Sequence, residues 1–253
     1  MKNKILVIGA GSWGTAIADI LAKKNKSVDI WTRNIKISDE INNKNTNKKY
    51  FKKIKLQKNL NSISGAFDTS QYSYIFYVLP AGQFEHFIKN YLINQKINNF
   101  TICSKGLSTN GQLISVVAKA YLKFKNLYIL SGPSFAEEVI KGLPTALSVS
   151  SNSSPLPLGK LFKGTNIRIY YSKNYKTLEV LGVIKNIYAI GAGIIDALSL
   201  GENARAAYIA RCIAEIQFIL KNSKFDNKQI LTLGGIGDLI LTCSSKKSRN
   251  YSF

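Results

Sequence analysis

The stretch "KILVIGAGSWGTAIADILAKK", residues 4–24, decides the fold because it reads in two incompatible ways. Lys2 and Lys4 ahead of an apolar run, followed by the small residues of "TAIA", have the form of a secretory signal with its cleavage site. Against this, the unbroken apolar core is only Ile5 to Ile8, after which Gly9, Gly11 and Gly14 interrupt it. Those glycines form GxGxxG between a strand-like run and a helix-like one. There the first glycine makes a tight turn, the second lets backbone approach a pyrophosphate, and the third lets helix pack on strand. The helix N-terminus adds free N–H groups and partial positive charge for the phosphates. The cradle accounts for all three glycines, and the signal for none.

Outward from the cradle, short apolar runs recur at 27–32, 74–79, 100–104, 127–131, 145–150 and 167–172. Helix-length stretches such as 14–24, 82–93 and 111–121 lie between most of them. Strands alternating with helices predict crossover units and a mainly parallel sheet covered on both faces. After residue 176 the strand signal stops. Residues 176–199 and 203–221 carry Leu, Ile and Ala at helical spacing, with Asn203 placed as an N-cap of the second. The expected organisation is a Rossmann-like α/β dinucleotide-binding domain over 1–176 and a helical domain over 177–253.

Composition narrows the function. The chain of 253 residues has 45% hydrophobic positions, enough for a full core. Its 35 Lys+Arg against 14 Asp+Glu give a net charge of +21, which would suit an anionic partner. The lysines are interleaved with asparagines, as in "KNTNKKYFKKIKLQKN" (44–59), and no helix-turn-helix, zinc-finger or RNP pattern accompanies them. Nucleic acid is therefore not the expected partner. Cys103, Cys212 and Cys243 are odd in number and far apart, which argues against a disulfide framework and fits a reducing compartment. With His86 as the single histidine, no metal site is expected and a His-based triad has almost nothing to draw on. No uninterrupted run approaches the ~18 apolar residues of a membrane span.

At the end of the second strand, a NAD-specific cradle usually places an acid against the ribose hydroxyls. Here "VDIWTRN" ends in Thr32, Arg33 and Asn34, with Asp29 inside the strand. Arg33 suits a 2′-phosphate, which favours NADP(H) and leaves NAD(H) open; otherwise it is a solvated loop residue. Four more segments carry chemistry. "CSKGL" (103–107) and "SGPSFAEEV" (131–139) put Lys105, Gly132 and Ser134 just past strand ends, where α/β sheets bind ligands. Ser134 with Glu137 also fits a capping box. "VIKNIYAIGAG" (183–193) embeds Lys185 and Asn186 in an apolar helix, where an ammonium is costly unless it is paired or snorkels to the edge. "GIGDLILTCSSKKSRNYSF" (235–253) sets Asp238 and Thr242 on one helix face, followed by Ser248, Arg249 and Asn250.

In this order, with "GAGSWGTAIA", "GLPTALSV" and "GENARAAYIAR", these segments resemble the NAD(P)-dependent sn-glycerol-3-phosphate dehydrogenases of the bacterial biosynthetic type. The resemblance implies reversible reduction of dihydroxyacetone phosphate to sn-glycerol 3-phosphate, the phospholipid backbone precursor, in the cytoplasm, and leaves a homodimer open. It makes Lys185 the catalytic lysine, with Asp238 and Lys105 beside it. Lys105, Gly132, Ser134, Lys185, Asp238, Ser248, Arg249 and Asn250 are its substrate contacts. Gly9, Gly11, Ser12, Trp13, Gly14, Arg33, Tyr50, Lys105, Ala136 and Arg249 are its cofactor contacts. Burial and the second cation at Lys105 are expected to lower the pKa of Lys185 toward neutrality. The chain departs from the family twice. "FKKIKL" (51–56) stands where a Leu-Pro-rich turn is usual, and the family's helical domain normally continues well past the Ser-Arg-Asn segment, so an incomplete helical domain is expected. A 6-phosphogluconate- or hydroxyacid-type dehydrogenase of the same plan is the nearest rival, and it lacks the "SGPSFAEEV" and "GDLILTC" signatures.

Overall fold

The computed structural model describes residues 4–25 and 27–253, so Lys2 lies outside the described residues. The chain begins β1 (Ile5–Ile8), α1 (Ser12–Ala22), β2 (Val28–Trp31), α2 (Ile35–Lys44), β3 (Leu60–Ile63) and β4 (Tyr74–Tyr77). It continues α3 (Phe84–Phe87), β5 (Lys96–Ile102), α4 (Ile114–Tyr121), β6 (Lys123–Ser131), α5 (Ala136–Ile140), β7 (Thr145–Ser151), α6 (Leu156–Lys160) and β8 (Ile167–Tyr171). Helices α7 (Tyr175–Ala197), α8 (Gly201–Asn222) and α9 (Asp238–Cys243) follow.

The eight strands form one sheet in the order β3-β2-β1-β4-β5-β6-β7-β8, the doubly wound order extended by two strands. Pairing is parallel except between β6 and β7. Each strand expected from the apolar runs is present. Strand β3 was not expected: "LNSI" is short, only alternately buried and set among lysines, so it carries little apolar signal. On β1, Ile5 and Val7 pack into the core on one side of the sheet, and Leu6 and Ile8 into the core on the other. That is the period-2 logic of a strand covered on both faces.

The reversal of strand order falls between β1 and β4, and the glycine loop emerges there. Gly9 has φ +118°, and a Cβ on it would press on Leu79 after β4 at 3.0 Å. A Cβ on Gly14 would sit 1.8 Å from the Gly9 carbonyl oxygen, whereas a Cβ on Gly11 would meet nothing within 4 Å. Turn, open face and close packing therefore fall on the three glycines in the order the motif requires. The atypical "FKKIKL" segment is anchored by burial of Phe51 and Leu56 in the core under α1, with Ile54 packed on it. The Gln57 N–H also donates to the buried Asp19 carboxylate on α1 at 2.7 Å.

Helices α7, α8 and α9 share a third core, built from Leu181, Tyr188, Ala192, Ile216, Leu220 and Leu239 among others. Asn174 caps α7 by accepting from Thr177 N–H at 3.1 Å. The expected cap at Asn203 is corrected: α8 begins at Gly201, whose φ of +86° allows the sharp entry, and Asn203 lies inside its first turn. Helix α7 is itself apolar, with mean hydropathy 1.6 over an 18-residue window, half of it buried in the fold. The buried, paired lysine at its middle fits a core helix. It also reaches back to the sheet layer, where α4 has no side-chain cap of its own: Glu179 on α7 accepts from Ser115 N–H at 2.9 Å, in α4's first turn.

The glycine geometry yields a contrast measurable by thermal melting. Gly14→Ala forces its Cβ against a main-chain oxygen and is expected to lose about 1–3 kcal/mol, as overpacking does. Gly11→Ala, opening onto free space, is expected to lose no more than about 1 kcal/mol, as a poorer N-cap. Equal melting temperatures for the two variants would contradict this account of the loop.

Candidate active site

Lys105 lies on the loop after β5, Gly132 just after β6, Lys185 at the middle of α7, and Asp238 at the first residue of α9. The chain enters α9 through a π-helical turn, Leu233–Gly237, whose glycines let it run against Leu178 and Pro133. This turn sets Asp238 inward, with only 1% of the residue exposed. Its two carboxylate oxygens are shared: Lys185 Nζ donates to Oδ1 at 2.9 Å and Lys105 Nζ to Oδ2 at 2.6 Å. Lys185 also donates to Thr242 Oγ1 at 2.7 Å, one helical turn on from Asp238. Thr242 in turn donates to the Asp238 carbonyl, so the acceptor presented to Lys185 is fixed.

Lys105 is tied further. Its Nζ donates to the Gly132 carbonyl at 2.9 Å, and its own carbonyl accepts from Asn186 Nδ2 at 3.2 Å. Gly132 reaches this position with φ +136°, where a Cβ would press on the Leu147 backbone at 3.2 Å. Gly182 on α7 leaves room for the Lys105 stem. Burial pushes the Lys105 ammonium down to about 8, with the Lys185 charge adding to the shift and Asp238 opposing it. Two cations on one carboxylate leave an excess positive charge in an enclosed site, which favours an anionic ligand.

The other expected residues are placed as follows. Gly9, Gly11 and Gly14 form the cradle; Ser12 is exposed and Trp13 half-buried at the start of α1. Arg33 is exposed directly after β2, and Asn34 is used as the α2 cap. Asp29 is occupied by structure, pairing with Lys4 at 2.8 Å and accepting from the Tyr72 hydroxyl at 2.6 Å. Tyr50 is 40% exposed in the turn after α2, and Ala136 opens α5. The capping box expected of Ser134 and Glu137 does not form. Phe135 holds the cap position, Ser134 donates to the Gly132 carbonyl at 3.2 Å, and Glu137 pairs with Lys141.

Ser248 is buried, Arg249 exposed and Asn250 half-buried. Among the described residues, no hydrogen bond or ion pair joins Arg249 or Asn250 to the Asp238 cluster. Their segment is fixed by other contacts. A Cβ on Gly193 of α7 would fall 2.1 Å from the Tyr251 carbonyl oxygen, and Lys247 pairs with Glu138 on α5 at 2.6 Å. Sequence reading missed Asn47, a wholly buried residue against the glycine loop, because it is disguised by the Lys- and Asn-rich run around it. It missed the linking role of Glu179 as well, for which a lone acid on an apolar helix face gave the only signal.

The cradle is shaped for a dinucleotide: an open backbone face at Gly11, a turn at Gly9 and a helix N-terminus behind them. Among the described residues no cluster of His, Cys, Asp and Glu suits a metal ion. Comparison with known proteins gives the same direction. Residues 4–156 match the family described as NAD-dependent glycerol-3-phosphate dehydrogenase N-terminus, and residues 174–253 match its C-terminus. A glycerol-3-phosphate dehydrogenase (NAD(P)+) of Orientia tsutsugamushi is 39% identical over 99% of this chain and 77% of its own length. One from Erythrobacter litoralis is 37% identical over 100% of this chain and 77% of its own. The crystal structure of glycerol-3-phosphate dehydrogenase from Coxiella burnetii superposes with a TM-score of 0.88, at 32% identity, covering 99% of this chain and 78% of that one. On fold, motif order and these matches together, the chain belongs to the NAD(P)-dependent glycerol-3-phosphate dehydrogenase family of oxidoreductases.

Proposed function

We propose that the chain reduces dihydroxyacetone phosphate reversibly to sn-glycerol 3-phosphate, supplying the glycerophospholipid backbone. The observation that carries this reading is the buried ammonium of Lys185, held by Asp238 and Thr242 beside a second cation. A ketone becoming an alcohol gathers negative charge on its oxygen, and a positioned ammonium stabilises that charge and donates the proton. Lys185 takes that role. Asp238 and Thr242 hold its Nζ in place, and Lys105 adds positive potential at the same oxygen. Gly132, Ser134 and Ser248 border the substrate, while Arg249, helped by Asn250, holds its phosphate through charge-assisted hydrogen bonds. Binding energy gathered at the phosphate then positions the ketone.

A nicotinamide dinucleotide, when bound, supplies the hydride that the ketone carbon receives. Gly9, Gly11, Ser12, Trp13 and Gly14 would hold its pyrophosphate, and Arg33 and Tyr50 the adenosine end, with Lys105, Ala136 and Arg249 toward the nicotinamide. NADP(H) is preferred because Arg33 stands where an acid would select NAD(H). We divide the chain at 176/177, in the first turn of α7, with the sheet unit before it and nearly all of the helical unit after it, and place the enzyme in the cytoplasm.

The deciding experiment is NADPH oxidation on addition of dihydroxyacetone phosphate, run beside Lys185→Ala. The variant is expected to lose about 10²–10⁴-fold in kcat, as loss of a general acid does, while its NADPH Kd changes little. A variant turning over near the normal rate would remove Lys185 from this role. Arg33→Asp is expected to lower the NADPH-to-NADH ratio of kcat/KM by about tenfold, the value of one charge-assisted contact; an unchanged ratio would make Arg33 a solvated loop residue. Lys105 is charged below about 8 and neutral above it. On this reading kcat/KM for dihydroxyacetone phosphate falls as pH rises through that value. Lys105→Gln should give a lower profile without that alkaline limb, and a limb that survives the substitution would belong to another group.

A further inference from the structure

Asn47 stands at the head of an outward-facing run: Lys48, Lys49 and Tyr50 after it are exposed, yet Asn47, beside the buried Thr46, has no accessible surface. Its Nδ2 donates to the Ala10 carbonyl at 3.1 Å and to Thr15 Oγ1 at 3.0 Å, bridging the two ends of the glycine loop. A carbonyl oxygen only accepts, so the Ala10 contact fixes which end of the amide faces the loop. In a planar trans peptide the C=O and the following N–H point in opposite directions. Holding the Ala10 oxygen inward therefore turns the Gly11 N–H outward, to the open side where a Cβ on Gly11 would meet nothing. Among the described residues that N–H donates to no backbone acceptor.

The side chain is aimed before any ligand arrives. Glu40 Oε1 accepts from Thr46 Oγ1 at 2.7 Å and from Lys48 N–H at 2.8 Å, gripping the chain on both sides of Asn47. The Asn47 carbonyl accepts from Tyr50 and Phe51 N–H at 3.1 and 2.9 Å, and Phe51 is sunk in the core. Its Oδ1 is buried without a partner among the described residues, an arrangement that apolar packing alone would not favour.

The geometry points to Asn47 as a positioning residue for the dinucleotide, one that sets the Ala10–Gly11 peptide so that its N–H faces the pyrophosphate. This rests on the dinucleotide reading of the cradle. It is tested by calorimetric titration of NADPH into the wild-type chain, Asn47→Asp and Thr15→Val, with steady-state kinetics alongside. Asn47→Asp keeps the shape and removes the donor; it is expected to raise the NADPH Kd and KM by about tenfold or more. The KM for dihydroxyacetone phosphate, and kcat at saturating NADPH, should stay within about twofold, a split that general loss of folding would not produce. Thr15→Val removes one of the two acceptors at constant volume, with an expected rise of about threefold. A folded Asn47→Asp with unchanged Kd, or with kcat and both KM values altered together, overturns the assignment. If Asn47→Asp does not fold, Thr15→Val decides: weakened NADPH binding supports the role and unchanged binding overturns it. A wild-type chain that takes up neither NADPH nor NADH defeats the dinucleotide reading, and this inference with it.

Discussion

One buried carboxylate, Asp238, organises the helical part of this chain against its sheet. It accepts from a lysine on α7 and from a lysine on the loop after β5, so three elements distant in sequence meet at one charge. Removing the acid would leave two ammonium groups enclosed together without a counter-charge, a far worse state than an apolar pair of the same shape. The pair is therefore an unconvincing source of stability and a good source of specificity. It fixes where each Nζ sits, and it keeps one positive charge in surplus where an anion can compensate it.

Around that centre, the sheet and the helices are joined by contacts that act on backbone. Glu179 accepts from an α4 N–H that lacks a local cap, Asn186 donates to the Lys105 carbonyl, and Lys105 donates to the Gly132 carbonyl. Burial raises the pKa of Glu179, while the hydrogen bonds from Ser115 and Ile114 pull it back. Carbonyls and N–H groups are less free to move than side-chain tips. Placing the links there couples the loop after β5, the turn after β6 and the middle of α7 as a single rigid group.

Much of this was legible before any coordinates. Spacing of the glycines gave the cradle, because each has a steric duty that no other residue performs. The apolar runs gave the strands, because parallel strands covered on both sides need continuous hydrophobicity. What was hidden depends on long-range geometry. β3 is stabilised by its neighbour β2 and by Asn42, which exchanges hydrogen bonds with Ser62, and its own composition says little. Ser134 and Asn203 look like caps locally, but the chain enters α5 and α8 at angles that local pattern does not encode. Asn47 differs from its many neighbouring asparagines only in facing inward. For the site, Lys185 and Asp238 stood out as polar residues on apolar helices. That Lys185 shares the Asp238 carboxylate with Lys105, which lies 80 positions before Lys185 in the chain, is a fact of the sheet's topology.

The π-helical turn ahead of α9 carries a consequence for how this protein can vary over generations. Each residue of an α-helix advances about 100° around its axis, and a π turn holds one residue more than regular winding would. Deleting one glycine from "GGIG" would therefore rewind the helix into a more regular and locally more comfortable form. Because the extra residue is the one lost, Asp238 would keep nearly its bearing about the helix axis, and the change would fall on the chain before it, where Gly234 and Gly237 run against Leu178 and Pro133. The turn therefore behaves as slack in the winding: a change of one residue in length can be absorbed there with the carboxylate still facing both lysines.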